Sequence, residues 1–146
     1  KYFERHGVPE TPEDLKRHNC LAYRFTSSGM IDRWSFNTPG EGARTVVYEP
    51  RGNAVFNDDD SMLRAALQGV GLVQHLNLCV RPHLEDGTLV RVLLPWARPR
   101  SGFFLYVPSR AQMPAKTRAL VDFLVEQRKK LARQLRYSDK RVASLR

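Results

Sequence analysis

The chain has 146 residues, of which 42% are hydrophobic and 27% charged, and a formal net charge of +9. One ordinary domain fits that length, and the composition excludes a disordered, collagen-like or disulfide-framed chain. The charge excludes a basic face spread over the fold, because residues 128–146 carry eight basic groups and one acid while residues 1–127 carry 16 basic and 14 acidic.

In chain order, residues 2–6 read as the end of a helix closed by Gly7, followed by the turn Gly7-Val8-Pro9. Thr11 is a good N-cap, Pro12 suits the first helical position, and Glu13 and Asp14 favour the first turn, so a short helix should run to about residue 18. Residues 20–25 read as a strand. Strands over 33–37 and 44–48 flank the turn signal Thr38-Pro39-Gly40. A strand over 53–57, a helix over 58–68 bearing Met62, Ala65 and Ala66 on one side, and a buried strand over 71–75 make a βαβ unit, which implies a parallel pair. A helix over 76–84 is interrupted by Pro82 and ended by Gly87. Strands over 89–93 and 103–107 follow. Pro114 opens the longest helix, with a stripe of Leu120, Leu124, Leu131 and Leu135. The apolar residues of both terminal helices look like parts of a layer whose partner lies elsewhere.

No apolar run approaches the roughly 20 residues of a membrane-spanning helix, so no membrane partner is expected. The chain starts on Lys1 with no charged-then-apolar leader, and reads as processed or as a fragment. Cys20 and Cys79 lie far apart with no CxxC, and read as two buried free thiols in a reducing compartment. His18, Cys20, His75, Cys79, His83 and the acids offer no HxxxH or CxxC spacing, so no metal is expected. Ser27-Ser28-Gly29 is no nucleophile elbow, and Gly69-x-Gly71 follows a helix where a dinucleotide fingerprint would open one. No catalytic residue, cofactor or enzymatic activity is expected. The basic tail after residue 128 reads as a solvated helix end in preference to a phosphate-binding element.

The order of several short motifs resembles the middle and end of a LysR-type transcriptional regulator. The first is Tyr2-Phe3-x-Arg5-His6-Gly7-x-Pro9-x-Thr11-Pro12-x-Asp14-Leu15-x-x-His18-x-Cys20-Leu21. Trp34-x-Phe36, Asn57-Asp58, Ala65-Ala66-x-x-Gly69-x-Gly71-Leu72, Gly87-x-Leu89-Val90, Tyr106-x-Pro108 and Arg118-x-x-x-Asp122-Phe123-Leu124 follow in the same order. The resemblance spans residues 2–124. It implies an α/β fold: a periplasmic-binding-protein-like subdomain with a mixed sheet flanked by helices, plus a C-terminal helix from the other subdomain. Residues 1–17 would end the first effector subdomain, 18–108 form the second, 109–135 return as crossover and C-terminal helix, and 136–146 form a basic tail.

The resemblance further implies a cytoplasmic bacterial regulator that works as a homodimer or homotetramer. It would sense a small-molecule effector in the inter-subdomain cleft and reach promoter DNA through an upstream winged helix-turn-helix domain. The helix over 76–84 would face a partner. A solute-binding receptor of a transport system, with the same fold, is the alternative. Effector contact is expected from Asn57, Asp58, Gln74 and His75, which end strands at the edge where α/β folds bind ligands. Asp59 and Asp60 read as complements of the helix dipole. This sequence departs from the family pattern in ending the Gly-x-Gly strand on Gln74-His75 without a proline, and in its run of three acids. Three carboxylates here should repel anionic effectors unless the other half of the cleft supplies cations.

Overall fold

The computed structural model describes residues 1–98, 106 and 113–143, with side chains as far as residue 130. Lys1–Arg100 and Ser101–Arg146 form separate compact units. The first begins with helix α1 (Tyr2–His6), which closes on Gly7 at φ 72°, a left-handed position that glycine adopts without a Cβ penalty. Pro12–Arg17 is a helical turn of the tighter 3₁₀ kind, where a short α-helix was expected. Its start is well capped: the Asp14 carboxylate accepts from the backbone N–H groups of Glu10 and Thr11 and from the Thr11 hydroxyl, and pairs with Arg17.

Strand β1 (Ala22–Tyr23) is shorter than predicted and lies at the centre of a parallel arrangement. One edge pairs with β4 (Val55–Phe56), in register Ala22 with Val55 and Tyr23 with Phe56. The other edge meets the chain at Leu72, through Leu21 N–H to Leu72 O at 2.8 Å and Leu72 N–H to Asn19 O at 2.9 Å. The two ends of the predicted βαβ unit therefore do not pair with each other. They straddle β1, with helix α2 (Asp59–Leu67) connecting them. The predicted strand over 71–75 reduces to the single bridge at Leu72.

What holds the three segments together is one side chain, Asn19. Its amide donates to Asn53 Oδ1 at 2.9 Å and to the Val70 carbonyl at 2.7 Å, and its own oxygen accepts from Asn53 N–H at 2.9 Å. The phenol oxygen of Tyr2 accepts from the Asn19 backbone N–H at 2.9 Å. Gly52 and Gly71 leave room for this approach: a Cβ on Gly52 would collide with the Cys20 carbonyl and one on Gly71 with the Asn19 carbonyl.

Strands β2 (Trp34–Asn37) and β3 (Thr45–Tyr48) form the predicted antiparallel hairpin, with Trp34 opposite Tyr48 and Phe36 opposite Val46. Trp34 and Phe36 alternate inward with half-buried Ser35 and Asn37, and Phe36 also bridges to Ala97. Leu15, Cys20, Trp34, Phe36, Leu72 and Leu93 make the main core cluster. Tyr2 and Phe3 pack against it and are partly buried, while α1 buries none of its residues completely. Met62 and Ala66 are buried on α2 as expected, and Leu63 joins them.

Helix α3 (Asn77–Glu85) accommodates Pro82 and buries none of its residues. Cys79 is accordingly exposed, against the expectation of a buried thiol. Cys20 is fully buried, and burial pushes its thiol up to about 11. No strand forms over 89–93. Leu89 N–H is drawn back to the His83 carbonyl at 2.8 Å, and Leu93 takes a left-handed backbone (φ 56°, ψ 31°) before the turn Leu94–Trp96. The Trp96 indole donates to the Glu10 carbonyl at 3.1 Å. The predicted strand over 103–107 lies outside the described residues.

The second unit contains α4 (Ala115–Ala143), which continues through most of the predicted basic tail. Leu120, Phe123, Leu124 and Val125 are exposed on it.

Two outcomes follow from this packing. Gly71→Ala should lower the urea-unfolding free energy by about 1–3 kcal/mol, the usual cost of forcing atoms into an occupied site. An unchanged midpoint would show that the Asn19 segment can give way. The second concerns acid. The Thr11 backbone and hydroxyl donors, and then the Glu10 N–H, hold the Asp14 carboxyl down at about 2, below its ordinary 3.8. The unfolded chain therefore binds the proton first, and this contribution is complete above about pH 4 and lost as pH falls towards 2. Asp14→Asn should flatten the stability profile in that window relative to the unsubstituted chain, measured by denaturant melts at successive pH values.

Candidate functional site

The carboxyl end of β4 runs into the start of α2, and the chain after Leu72 returns to the same place. Asn57 follows β4 directly, with its carbonyl accepting from the Tyr23 hydroxyl at 3.3 Å. Asp58 is the N-cap of α2: its backbone is extended, and its Oδ2 accepts from Ser61 N–H at 2.7 Å. Hydrogen bonds from the Ser61 hydroxyl and then from the Ser61 backbone hold its carboxyl below the usual carboxylate range. Asp60 pairs with Arg64 one turn on, at 3.0 Å. Asp59 stands 64% exposed at the helix start, with Oδ1 3.8 Å from His75 Nε2.

His75 is the link between the two segments. Its Nε2 lies 3.4 Å from the Asp59 carbonyl, and its side chain is only 3% exposed. His75 Nδ1 and Gln74 Oε1 are buried and have no hydrogen-bond partner among the described residues. Such an atom costs about 1–3 kcal/mol relative to a paired one. Of the four residues predicted to form the site, Asn57, Asp58 and His75 thus gather around the first turn of α2. Gln74 adjoins His75 in sequence, with its own unpaired oxygen. Asp58 is already engaged as the cap of α2.

Sequence reasoning missed Asn19, Tyr2 and Tyr23, which set the positions of both site segments. Asn19 sits 34 residues from Asn53 and 51 from Val70. No spacing rule reaches that far; the visible trace is the pair of glycines that face it. His18, beside Asn19, is buried with Nδ1 3.3 Å from the Tyr2 hydroxyl oxygen. Burial, followed by the nearby His6 and Arg17 charges, pushes its imidazole towards the neutral form. Among the described residues, no three His, Cys, Asp or Glu side chains come together as metal donors, and no helix is long and apolar enough to cross a membrane.

In this α/β unit, parallel segments end at a capped helix start, the edge at which α/β folds commonly bind ligands. The LysR substrate binding domain family matches residues 1–129, and the chain belongs to that family, one of transcription regulators and not of enzymes. YcaN, an uncharacterized HTH-type transcriptional regulator of Escherichia coli (strain K12), is 34% identical over 124 residues, which are 85% of this chain and 39% of YcaN. YagP of the same strain, named for a LysR family substrate binding domain, is 35% identical over 115 residues; these cover 79% of this chain and 82% of YagP. Among solved structures, the regulatory domain of AphB from Vibrio vulnificus superposes with a TM-score of 0.67 at 27% identity, covering 86% of this chain and 60% of that domain. The CrgA regulatory domain from Neisseria meningitidis shares the fold, with a TM-score of 0.66 at 24% identity over 86% of this chain and 59% of that one. The chain thus spans about two fifths of YcaN. It is an effector-binding domain segment of a LysR-type regulator, with the mixed α/β fold of that class.

The cap gives a direct check on α2. Asp58→Ala should lower the thermal midpoint, because the Ser61 N–H loses its acceptor. Asp58→Asn, an equally good cap, should leave the midpoint near that of the unsubstituted chain. Equal losses in circular-dichroism melts would place the contribution of Asp58 in its charge and not in its capping bond.

Proposed function

We propose that this chain is the second effector subdomain and returning helix of a LysR-type regulator that senses a small molecule and performs no chemistry. The effector sits in a cleft between the unit carrying α2 and a first α/β subdomain contributed by preceding sequence. Residues 1–17 leave that first subdomain, 18–108 form the second, and 109–135 return. The exposed Leu120 and Leu124 stripe of α4 is then the surface that the first subdomain covers. The effector binds open and closed arrangements with different affinity, and so shifts a homodimer or homotetramer and the spacing of its DNA-binding heads. Such a protein acts in the cytoplasm, on promoter DNA, through an N-terminal domain. Helix α3 faces a partner copy, since it buries no residue of its own and exposes Leu78, with Leu76 exposed just before it. Relatives named as HTH-type transcriptional regulators favour this reading over a solute-binding receptor of the same fold.

The observation that carries the ligand half of this reading is the pair of unpaired buried atoms, Gln74 Oε1 and His75 Nδ1. An amide oxygen accepts hydrogen bonds only. Asp59 lies 3.8 Å from the neighbouring His75, with Asp58 and Asp60 on either side of it in sequence. The effector therefore presents N–H or O–H donors to this half of the cleft, with neutral or positive charge there.

Nuclear magnetic resonance of the labelled chain tests this with weak probes. Ethanolamine should shift the amides of residues 57–61, 74 and 75, and the shifts should disappear in Gln74→Leu. Succinate at equal concentration should leave them in place. Shifts with succinate and none with ethanolamine would reverse the assignment.

A further inference from the structure

Helix α4 runs to Ala143, whereas the family match ends at residue 129. The continuation is not neutral filler. At 100° per residue, positions Lys129, Arg133, Arg136 and Lys140 fall within an arc of about 60°. Leu120, Leu124, Leu131, Leu135 and Val142 fall within a second arc of similar width, centred on the opposite side of the helix. The cationic stripe is about 16 Å long at 1.5 Å per residue. Lys129 lies 3.9 Å from Glu126 at its start. Beyond it the sequence offers one acid, Asp139, against Lys130, Arg133, Arg136, Lys140, Arg141 and Arg146.

Dipole complementation does not account for this stripe. That effect is confined to the last turn of a helix, whereas Lys129, Arg133 and Arg136 lie two turns or more before Ala143. A bilayer surface fits poorly too. An interfacial helix buries its apolar arc and leaves the opposite arc in water, so these four positions would lie on the arc away from the headgroups. A linear polyanion fits the stripe: the phosphates of duplex DNA recur about every 3.4 Å along each strand.

We infer that the Lys129–Arg133–Arg136–Lys140 stripe of α4 is a second contact with duplex DNA, made to the phosphate backbone without reading sequence. The choice of DNA among polyanions rests on the regulator reading; the stripe itself does not. The contact would add affinity to whatever sequence-reading domain the protein carries, and would bring the end of the effector unit against the duplex.

The test is fluorescence anisotropy of the 146-residue chain on a labelled duplex of arbitrary sequence, between 50 and 200 mM salt. Four neutralised phosphates predict a slope of log affinity on log salt of about −3.6, or roughly a hundredfold loss across that range. Replacing Lys129, Arg133, Arg136 and Lys140 together by Gln should weaken binding at least tenfold at low salt and flatten the slope, with helicity checked by circular dichroism. Replacing the exposed Lys16, Arg24, Arg44 and Arg98 by Gln, an equal loss of charge, should leave both unchanged. Equal losses in the two variants, or no binding at 50 mM salt, overturn the inference. Capture by phosphatidylserine vesicles with no binding to the duplex overturns it in favour of lipid. The ethanolamine titration reads residues 57–75, so failure of the effector reading and failure of this one are separately visible.

Discussion

The first unit depends on the clasp made by Asn19. Parallel strands of two residues each cannot hold register by backbone pairing alone. Here a single amide side chain ties the start of β1 to Asn53, at the approach to β4, and to Val70, just before the return at Leu72. The clasp works only because Gly52 and Gly71 bring their backbones against it without a Cβ. Tyr2 closes it from the other side by accepting from the Asn19 backbone, which also fixes α1 over the core. Everything at the cleft edge follows, since Asn57 and Asp58 leave β4 while Gln74 and His75 leave the segment that starts at Gly71.

The start of α2 shows how a fold can carry three adjacent carboxylates with little local cost. Asp58 accepts from Ser61, Asp60 pairs along the helix with Arg64, and Asp59 stays in water near His75. Each has a different outlet for its charge, and two of the three assist the helix itself. Next door the deficit is of hydrogen bonds: the amide oxygen of Gln74 and one ring nitrogen of His75 are buried with no partner among the described residues.

How far this was legible from sequence differs by element. The hairpin of β2 and β3 was readable because alternation and a Pro-Gly turn are local signals, and α2 because Met62, Ala65 and Ala66 fall on one side of a helix. The tail helix was readable from its leucine stripe. The strand predicted over 89–93 failed because apolar runs say nothing of the Thr88 and His83 contacts that turn the chain back. Cys79 was misread because free cysteine usually prefers the interior, and nothing local reveals that α3 lies at the surface. The parallel partners were right in direction and wrong in adjacency, since the Asn19 bonds span 34 and 51 residues. At the site, the predicted residues were named from strand ends and the family pattern; the burial of Gln74 Oε1 and His75 Nδ1 is a tertiary fact with no sequence trace.

Leu93 carries a last consequence. Its backbone takes a conformation that favours glycine, while its side chain fills the core at 8% exposure. The two demands pull towards different residue types, which makes the position locally frustrated. Glycine would relax the backbone and open a cavity; asparagine or aspartate would ease the backbone but place a polar group in the core. The position is therefore a compromise that point substitution cannot improve on both counts, and sequence drift in this protein has reason to move around it and not through it.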